Sequence, residues 1–67
     1  MSVNVRITLR AARVNAGFSQ KEAADMLLIG TSTLQGYESG KRQPRMELLG
    51  RMEQIYGIGV QHLRLEQ

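Results

Sequence analysis

The sequence predicts an all-α fold, a compact bundle of five short helices. Apolar residues recur every three or four positions through most of the chain, and we expect helices and no strand. Glycine directly follows three of the predicted helices, at Gly17, Gly40 and Gly57, where this residue commonly ends a helix. The 67 residues suffice for one domain, 1–67, with a single small core.

Composition limits the classes of protein that this chain can represent. It contains no cysteine, so neither disulfides nor a thiolate metal site can support the fold. The longest apolar run is Met26 to Ile29, which is too short for a transmembrane helix or a signal-peptide core. We therefore expect no membrane association and, by default, a cytoplasmic location.

Charge is unevenly distributed along the chain. The net charge is +3, but the residues before position 46 carry an excess of +4 and the remainder is slightly acidic. The basic residues of the first part are Arg6, Arg10, Arg13, Lys21, Lys41, Arg42 and Arg45, and its acids are Glu22, Asp25 and Glu38. This distribution fits a polyanionic partner. An ordinary solvated surface accounts for it as well.

The first two helices have clear local signals. Leu9, Ala12 and Ala16 give one apolar face to a helix from about Arg6 to Ala16. Helix two, Gln20 to Leu27, follows a capping box in which Ser19 is the N-cap and Glu22 stands three residues on. Its buried residues are expected to be Ala23, Ala24 and Leu27.

The remaining helices follow from the same reasoning. Residues 28–30 form a turn, and Thr31 to Ser39 forms helix three with Leu34 and Tyr37 on its buried side. Helix four is expected from about Pro44 or Arg45 to Tyr56. A short fifth helix, about Gly59 to Leu65, is expected to close the core with Ile58, Val60, Leu63 and Leu65.

Two helices joined by a turn of three to four residues inside a small helical domain describe a helix-turn-helix motif, at about residues 19–40. The stretch SQKEAADML, followed by T-S-T-L-x-x-Y-E-S-G-K-R-x-P, resembles the Cro/cI (XRE) family of phage-repressor-like domains. The resemblance extends from about Leu9 to Leu63. It implies a lambda-repressor-like fold in which helix three enters the major groove of DNA.

The resemblance also implies roles for individual residues. Gln20, at the start of helix two, would contact a phosphate and brace the recognition helix, and Gln35 could pair with adenine. A loop after helix three would clamp backbone phosphates. The complete expected DNA-binding set is Gln20, Lys21, Thr31, Ser32, Thr33, Gln35, Gly36, Lys41, Arg42 and Gln43. For Thr31 and Ser32, helix capping is an alternative role. Arg13 and Glu38 occupy positions where the family often has a partly buried ion pair.

Three positions depart from the family pattern. Leu28 stands in the turn where glycine is usual, and Gly30 replaces the usual Ser or Thr N-cap of helix three. Gly36 replaces a long polar side chain at a DNA-facing position. Its small size either removes a base contact or allows DNA to approach the helix backbone closely.

The implied function is that of a sequence-specific regulator of transcription that binds double-stranded DNA, such as a phage, prophage or small bacterial repressor. We expect a palindromic operator and a homodimer formed through helix five and the end of helix four. The alternative is a protein-interaction module on the same fold, such as an antitoxin or an accessory phage factor.

Catalytic and ligand-binding chemistry is not indicated. The lone His62 has no cysteine or second histidine with which to hold a metal ion, and no nucleophile–base pair or phosphate-binding loop stands out. We expect no enzyme activity, no metal, no cofactor and no small-molecule ligand.

Overall fold

The computed structural model describes residues 7–59 and 63–64, and in this part of the chain four helices pack beside a minimal parallel sheet. The elements are β1 (Ile7–Thr8), α1 (Leu9–Asn15), α2 (Gln20–Leu27), α3 (Thr31–Ser39), α4 (Met46–Tyr56) and β2 (Leu63–Arg64). Within the described ranges, no helix is long and apolar enough to cross a membrane. The fold is therefore mainly helical, as the sequence predicts.

The predicted fifth helix is wrong where the structure describes it. Leu63 and Arg64 form a strand that pairs in parallel with β1, with Ile7 opposite Leu63. Residues 60–62 and Leu65 of the expected helix lie outside the described residues. Leu63 is buried in the core, as its spacing predicts, but it belongs to a strand and not to a helix. The alternation of apolar and polar residues from Val3 to Arg10 is typical of a strand and was a signal for β1, but local periodicity cannot reveal its pairing with Leu63 near the other end of the chain.

The first helix also begins later than the sequence predicts. Thr8 is its N-cap, and the Thr8 hydroxyl accepts a hydrogen bond of 3.0 Å from the backbone N–H of Ala11. Helix α1 therefore starts at Leu9, while Ile7 and Thr8 are extended and pair with β2. The expected start at Arg6 lies outside the described residues.

Helices α2 and α3 have the predicted bounds, and α4 begins one or two residues late. The Ser19–Glu22 capping box is formed in both directions, with hydrogen bonds of 3.0 and 2.8 Å. Arg45 is the N-cap of α4, so Pro44 precedes the helix and is itself buried.

The core is formed by one apolar face from each helix together with Leu63. Leu27, Leu34 and Met52 are its largest completely buried side chains. The other core residues are Leu9, Ala12, Ala23, Ala24, Leu49, Tyr56 and Leu63. Because Ala23 and Ala24 are small, the α2 backbone can approach its neighbours closely. The core therefore fixes the position of the helix-turn-helix motif.

The turn between α2 and α3 contains a leucine in a left-handed conformation. Leu28 has φ 61° and ψ 40°, and it is the one non-glycine residue with positive φ in the described ranges. The N–H of Leu28 bonds to Asp25 O at 3.2 Å and that of Ile29 to Ala24 O at 3.0 Å, which is the Schellman pattern. The Leu28 side chain is 80% exposed, so core packing does not offset the strain.

A buried ion pair joins α1 to α3. Arg13 Nε donates to Glu38 Oε2 at 2.7 Å and Arg13 Nη2 donates to Glu38 Oε1 at 3.2 Å, while Arg13 Nη1 donates to the carbonyl of Phe18 at 2.9 Å. The two side chains are only 9% and 5% exposed. The pair is therefore held in a fixed geometry by hydrogen bonds on both partners.

Tyr56 packs near this ion pair with its hydroxyl buried. The hydroxyl oxygen has no hydrogen-bond partner among the described residues. Burial raises the pKa of Tyr56 to about 12, and the charge of Glu38 contributes in the same direction. The hydroxyl therefore stays neutral at physiological pH and adds no charge to the region.

Removing the charge of Glu38 tests the ion pair. Glu38→Gln leaves the Arg13 guanidinium buried without a counter-charge, so the free energy of unfolding is expected to fall by about 3–5 kcal/mol. Urea unfolding followed by circular dichroism measures the loss. The double variant Arg13→Met, Glu38→Leu is the control, and it should recover most of the stability because it removes both charges. A cost below about 1 kcal/mol for Glu38→Gln would contradict the buried pair.

Replacing the strained leucine tests the turn. Leu28→Gly should raise the free energy of unfolding by about 1 kcal/mol, because glycine adopts positive φ without steric cost. Leu28→Ala is the matched control, since it removes most of the side chain but keeps the Cβ that causes the strain. Equal effects of the two changes in urea unfolding would show that the side chain, and not the backbone conformation, is responsible.

Candidate nucleic-acid interface

Helix α3 rests on the core through one face and exposes the other. Leu34 is completely buried and Tyr37 is half-buried. The opposite face exposes Ser32, Gln35 and Ser39, which recur at the spacing of a helix face. Together with Gly36 and Lys41 they line a shallow open depression. Short polar side chains along one exposed helix face can form hydrogen bonds to an external ligand.

The start of α3 has unused hydrogen-bonding groups. Gly30 is the N-cap and makes no side-chain capping bond. Thr31 and Ser32 are exposed, and neither hydroxyl bonds to another described residue. The capping role that the sequence left open for these two residues is therefore not adopted. Thr33, one residue on, is half-buried.

Gln20 is the first residue of α2 and contacts the last turn of α3. Its Nε2 donates to Glu38 Oε1 at 3.1 Å, so the side chain is tied to the ion pair with Arg13. A second N–H on the same nitrogen stays available. The backbone N–H groups of Gln20 and Lys21, in the first turn of α2, have no partner among the described residues. This corner can therefore donate several hydrogen bonds to an anion.

The cations near the motif differ in their pairing. Lys21 Nζ lies 3.3 Å from Asp25 Oδ2, in an exposed pair that contributes little stability. Lys41 and Arg42 are exposed and make no ion pair within the described part of the chain. Gln43 beside them is exposed as well. The loop after α3 therefore presents uncompensated positive charge.

Gly36 and Arg42 are brought together in a way that sequence reasoning missed. The N–H of Arg42 bonds to Gly36 O at 3.2 Å, so the loop folds back over α3. A Cβ at position 36 would lie 3.0 Å from Arg42 Cδ and 3.1 Å from Arg42 Cγ. The Gln20–Glu38 bond ties Gln20 to α3, in keeping with the bracing role that the resemblance implies for Gln20. Both contacts join residues whose relation depends on the tertiary fold, and the sequence carries no local signal for them.

Metal binding finds no support within residues 7–59 and 63–64, where no three His, Asp or Glu side chains are grouped to hold an ion. His62 lies outside the described residues.

Arg10 is exposed and lies on α1 beside a depression lined by Thr8, Ala11, Val14 and Asn15.

Known proteins with similar sequences include two regulators of transcription. The chain is 38% identical over 55 residues to the HTH-type transcriptional regulator ImmR of Bacillus subtilis (strain 168), which is 82% of this chain and 43% of that protein. It is 31% identical over 58 residues to multiprotein-bridging factor 1c of Arabidopsis thaliana, 87% of this chain and 39% of that protein. It is 29% identical over 55 residues to the cryptic phage CTXphi transcriptional repressor RstR of Vibrio cholerae, 82% of this chain and 50% of that protein.

The chain thus spans half or less of the length of these relatives. No solved structure matches it. A sequence model of the family described as Helix-turn-helix matches residues 9–63, which covers the motif, the ion pair and most of the core. The chain belongs to the helix-turn-helix family, in its Cro/cI (XRE) branch.

Proposed function

We propose that the protein is a regulator of transcription that binds double-stranded DNA sequence-specifically, with α3 (Thr31–Ser39) as the recognition helix in the major groove. One observation carries the proposal. On the exposed face of α3, Ser32 and Gln35 have no internal partners, while the donor Gln20 lies beside the last turn of the helix and the cations Lys41 and Arg42 follow its end. A major groove admits one α-helix and is bordered by phosphates on both sides, which fits this arrangement.

Phosphate contacts are assigned to the two ends of the motif. Gln20 and Lys21 offer side-chain and backbone N–H groups at the start of α2, where the helix dipole favours an anion. Lys41, Arg42 and Gln43 offer exposed side chains in the loop after α3. Such contacts supply affinity and orientation and carry no sequence information by themselves.

Base contacts are assigned to the exposed face of α3. Gln35 is exposed and can pair with the N6 and N7 atoms of adenine. Thr31, Ser32 and Thr33 lie in the first turn of α3, the part of a recognition helix that contacts base edges. Thr31 and Thr33 can contact thymine methyl groups or phosphates, and Gly36 lies among these residues.

The names of the relatives support regulation of the phage or prophage type. Two of them are a transcriptional regulator and a phage transcriptional repressor. By these names, this is a family of regulators, and we assign no enzymatic step to the chain. Repression is the more direct mode of action for a bound domain of this size, because occupying an operator suffices to exclude other proteins.

Homodimeric binding to a palindromic operator completes the proposal. A single small module buries little DNA surface, and two copies on half-sites about one helical turn apart would multiply the contacts. Leu63, one of the residues expected at the pairing surface, lies in a strand and not in a fifth helix. Leu63 is buried in β2, and Ile58 is half-buried against the core. Val60 and Leu65 lie outside the described residues.

A protein-interaction module is the second candidate, favoured by one observation. Leu28 and Met46 are 80% and 72% exposed, near a groove lined by Leu28, Ile29 and Leu48 among others. Large exposed apolar side chains are typical of protein contact sites. Under this hypothesis alone, the chain would bind no DNA at low salt.

Affinity for random duplex DNA tests the phosphate contacts. Lys41→Ala should weaken binding by a similar factor on every sequence and reduce the slope of log K against log salt by about 1. Fluorescence anisotropy with a labelled duplex between low and moderate salt measures both quantities.

The matched control is Arg51→Ala, which removes the same charge from α4. Arg51 is 47% exposed and lies 3.9 Å from Glu47. Equal losses for Lys41→Ala and Arg51→Ala would mean that net charge alone drives binding. Absence of binding by the unmodified chain at low salt would contradict the proposed function.

Selection from random duplexes tests sequence-specific recognition and symmetry together. We expect a palindromic site whose half-sites are about 10 base pairs apart. Gln35→Ala should relax the preference at one position per half-site while affinity for random DNA hardly changes. A site without symmetry would contradict homodimeric binding. An equal loss for Gln35→Ala on all sequences would reassign Gln35 to the DNA backbone.

A further inference from the structure

Gly36 occupies the middle of the exposed face of α3 and has no side chain with which to contact DNA. Glycine is among the poorest residues for the interior of a helix, so its presence here needs a local reason. A glycine could allow the DNA backbone to approach. In this structure, however, the space in front of Gly36 is already filled by the side chain of Arg42.

The contact between the two residues is close and specific. A Cβ at position 36 would lie 3.0 Å from Arg42 Cδ, 3.1 Å from Cγ and 3.8 Å from Cβ, and the first two distances are shorter than normal carbon–carbon contacts. The stem of Arg42 therefore crosses α3 at this position, and only glycine accommodates it without displacement.

Two hydrogen bonds to the carbonyl of Gly36 hold the backbone segment from which the Arg42 side chain extends. The carbonyl of Gly36 accepts from the N–H of Arg42 and from the Ser39 hydroxyl, each at 3.2 Å. The loop after α3 is thereby folded back onto the helix. The Arg42 guanidinium is bonded to Cδ, the stem atom closest to position 36, so it starts beside the exposed face of α3.

The guanidinium has no competing partner. Arg42 is exposed, and within the described ranges it forms neither an ion pair nor a side-chain hydrogen bond. Gly36 lies in the same depression as Ser32, Gln35 and Ser39, which belong to the proposed recognition face. A guanidinium presents a planar set of donors that matches the O6 and N7 acceptors of guanine.

We propose that Arg42 replaces the missing side chain of position 36 and recognises a guanine in the major groove. Gly36 leaves free the space that the Arg42 side chain occupies. The inference rests on the proposed DNA-binding function and changes the role of Arg42 from phosphate clamp to specificity residue. Because the stem is already held against α3, less side-chain freedom is lost when the guanidinium binds.

The test compares four variants on the selected duplex and on all of its single-base-pair substitutions. Arg42→Ala should lower the preference for guanine at one position per half-site by roughly 5- to 100-fold and leave the other positions unchanged. Gly36→Ala should lower the same preference, because its methyl group displaces the stem. The double variant Gly36→Ala, Arg42→Ala should lose no more than Arg42→Ala alone. Lys41→Ala is the matched control and should weaken binding to all duplexes evenly.

Each contrary outcome has a separate meaning. An even loss on all duplexes for Arg42→Ala would overturn the inference and return Arg42 to the phosphate backbone. If Gly36→Ala leaves the base preferences unchanged while Arg42→Ala loses the preference for guanine, the role of Gly36 in placing Arg42 would be overturned. A wild-type chain that binds no duplex would instead overturn the proposed function itself. Circular dichroism of each variant shows that its fold is retained, and alanine at position 36 favours the helix.

Discussion

The ion pair between Arg13 and Glu38 is the interaction on which the orientation of the recognition helix depends. It joins α1 to α3, reaches the loop carbonyl of Phe18, and through Gln20 reaches the start of α2. Buried ion pairs add little net stability because desolvation offsets the attraction. Their geometry is nevertheless strict, since a misplaced partner leaves a buried charge unpaired. The pair thus selects one angle of α3 relative to the rest of the core.

The same network couples the fold to the proposed phosphate contact. Glu38 accepts hydrogen bonds from Arg13 and from Gln20, and Gln20 retains one amide N–H for an external acceptor. Hydrogen bonds in such a chain polarise one another, so a phosphate at Gln20 would be linked electrostatically to the guanidinium of Arg13. The groups that hold the motif in place and those proposed to contact DNA are therefore partly the same.

Local signals in the sequence were sufficient for much of the fold. The Ser19–Glu22 capping box and Gly40 predicted the bounds of α2 and α3, because capping depends on residues three or four positions apart. The strand at Leu63 could not be predicted in this way, since its partner is Ile7. For the interface, the residue types and the exposed face were predicted. The resemblance implied that Gln20 braces α3, but its partner Glu38 and the contact of Arg42 with Gly36 depend on tertiary packing and could not be predicted.

The pairing of β1 with β2 has a consequence for the order of folding. It joins the two ends of the described chain, so forming it closes a loop that contains all four helices. Closing so long a loop has a large entropic cost that the helix–helix contacts must first reduce by bringing the ends together. The strand pair should therefore form late and open first. Opening it would loosen α1 from its start while α2 and α3 keep their mutual packing.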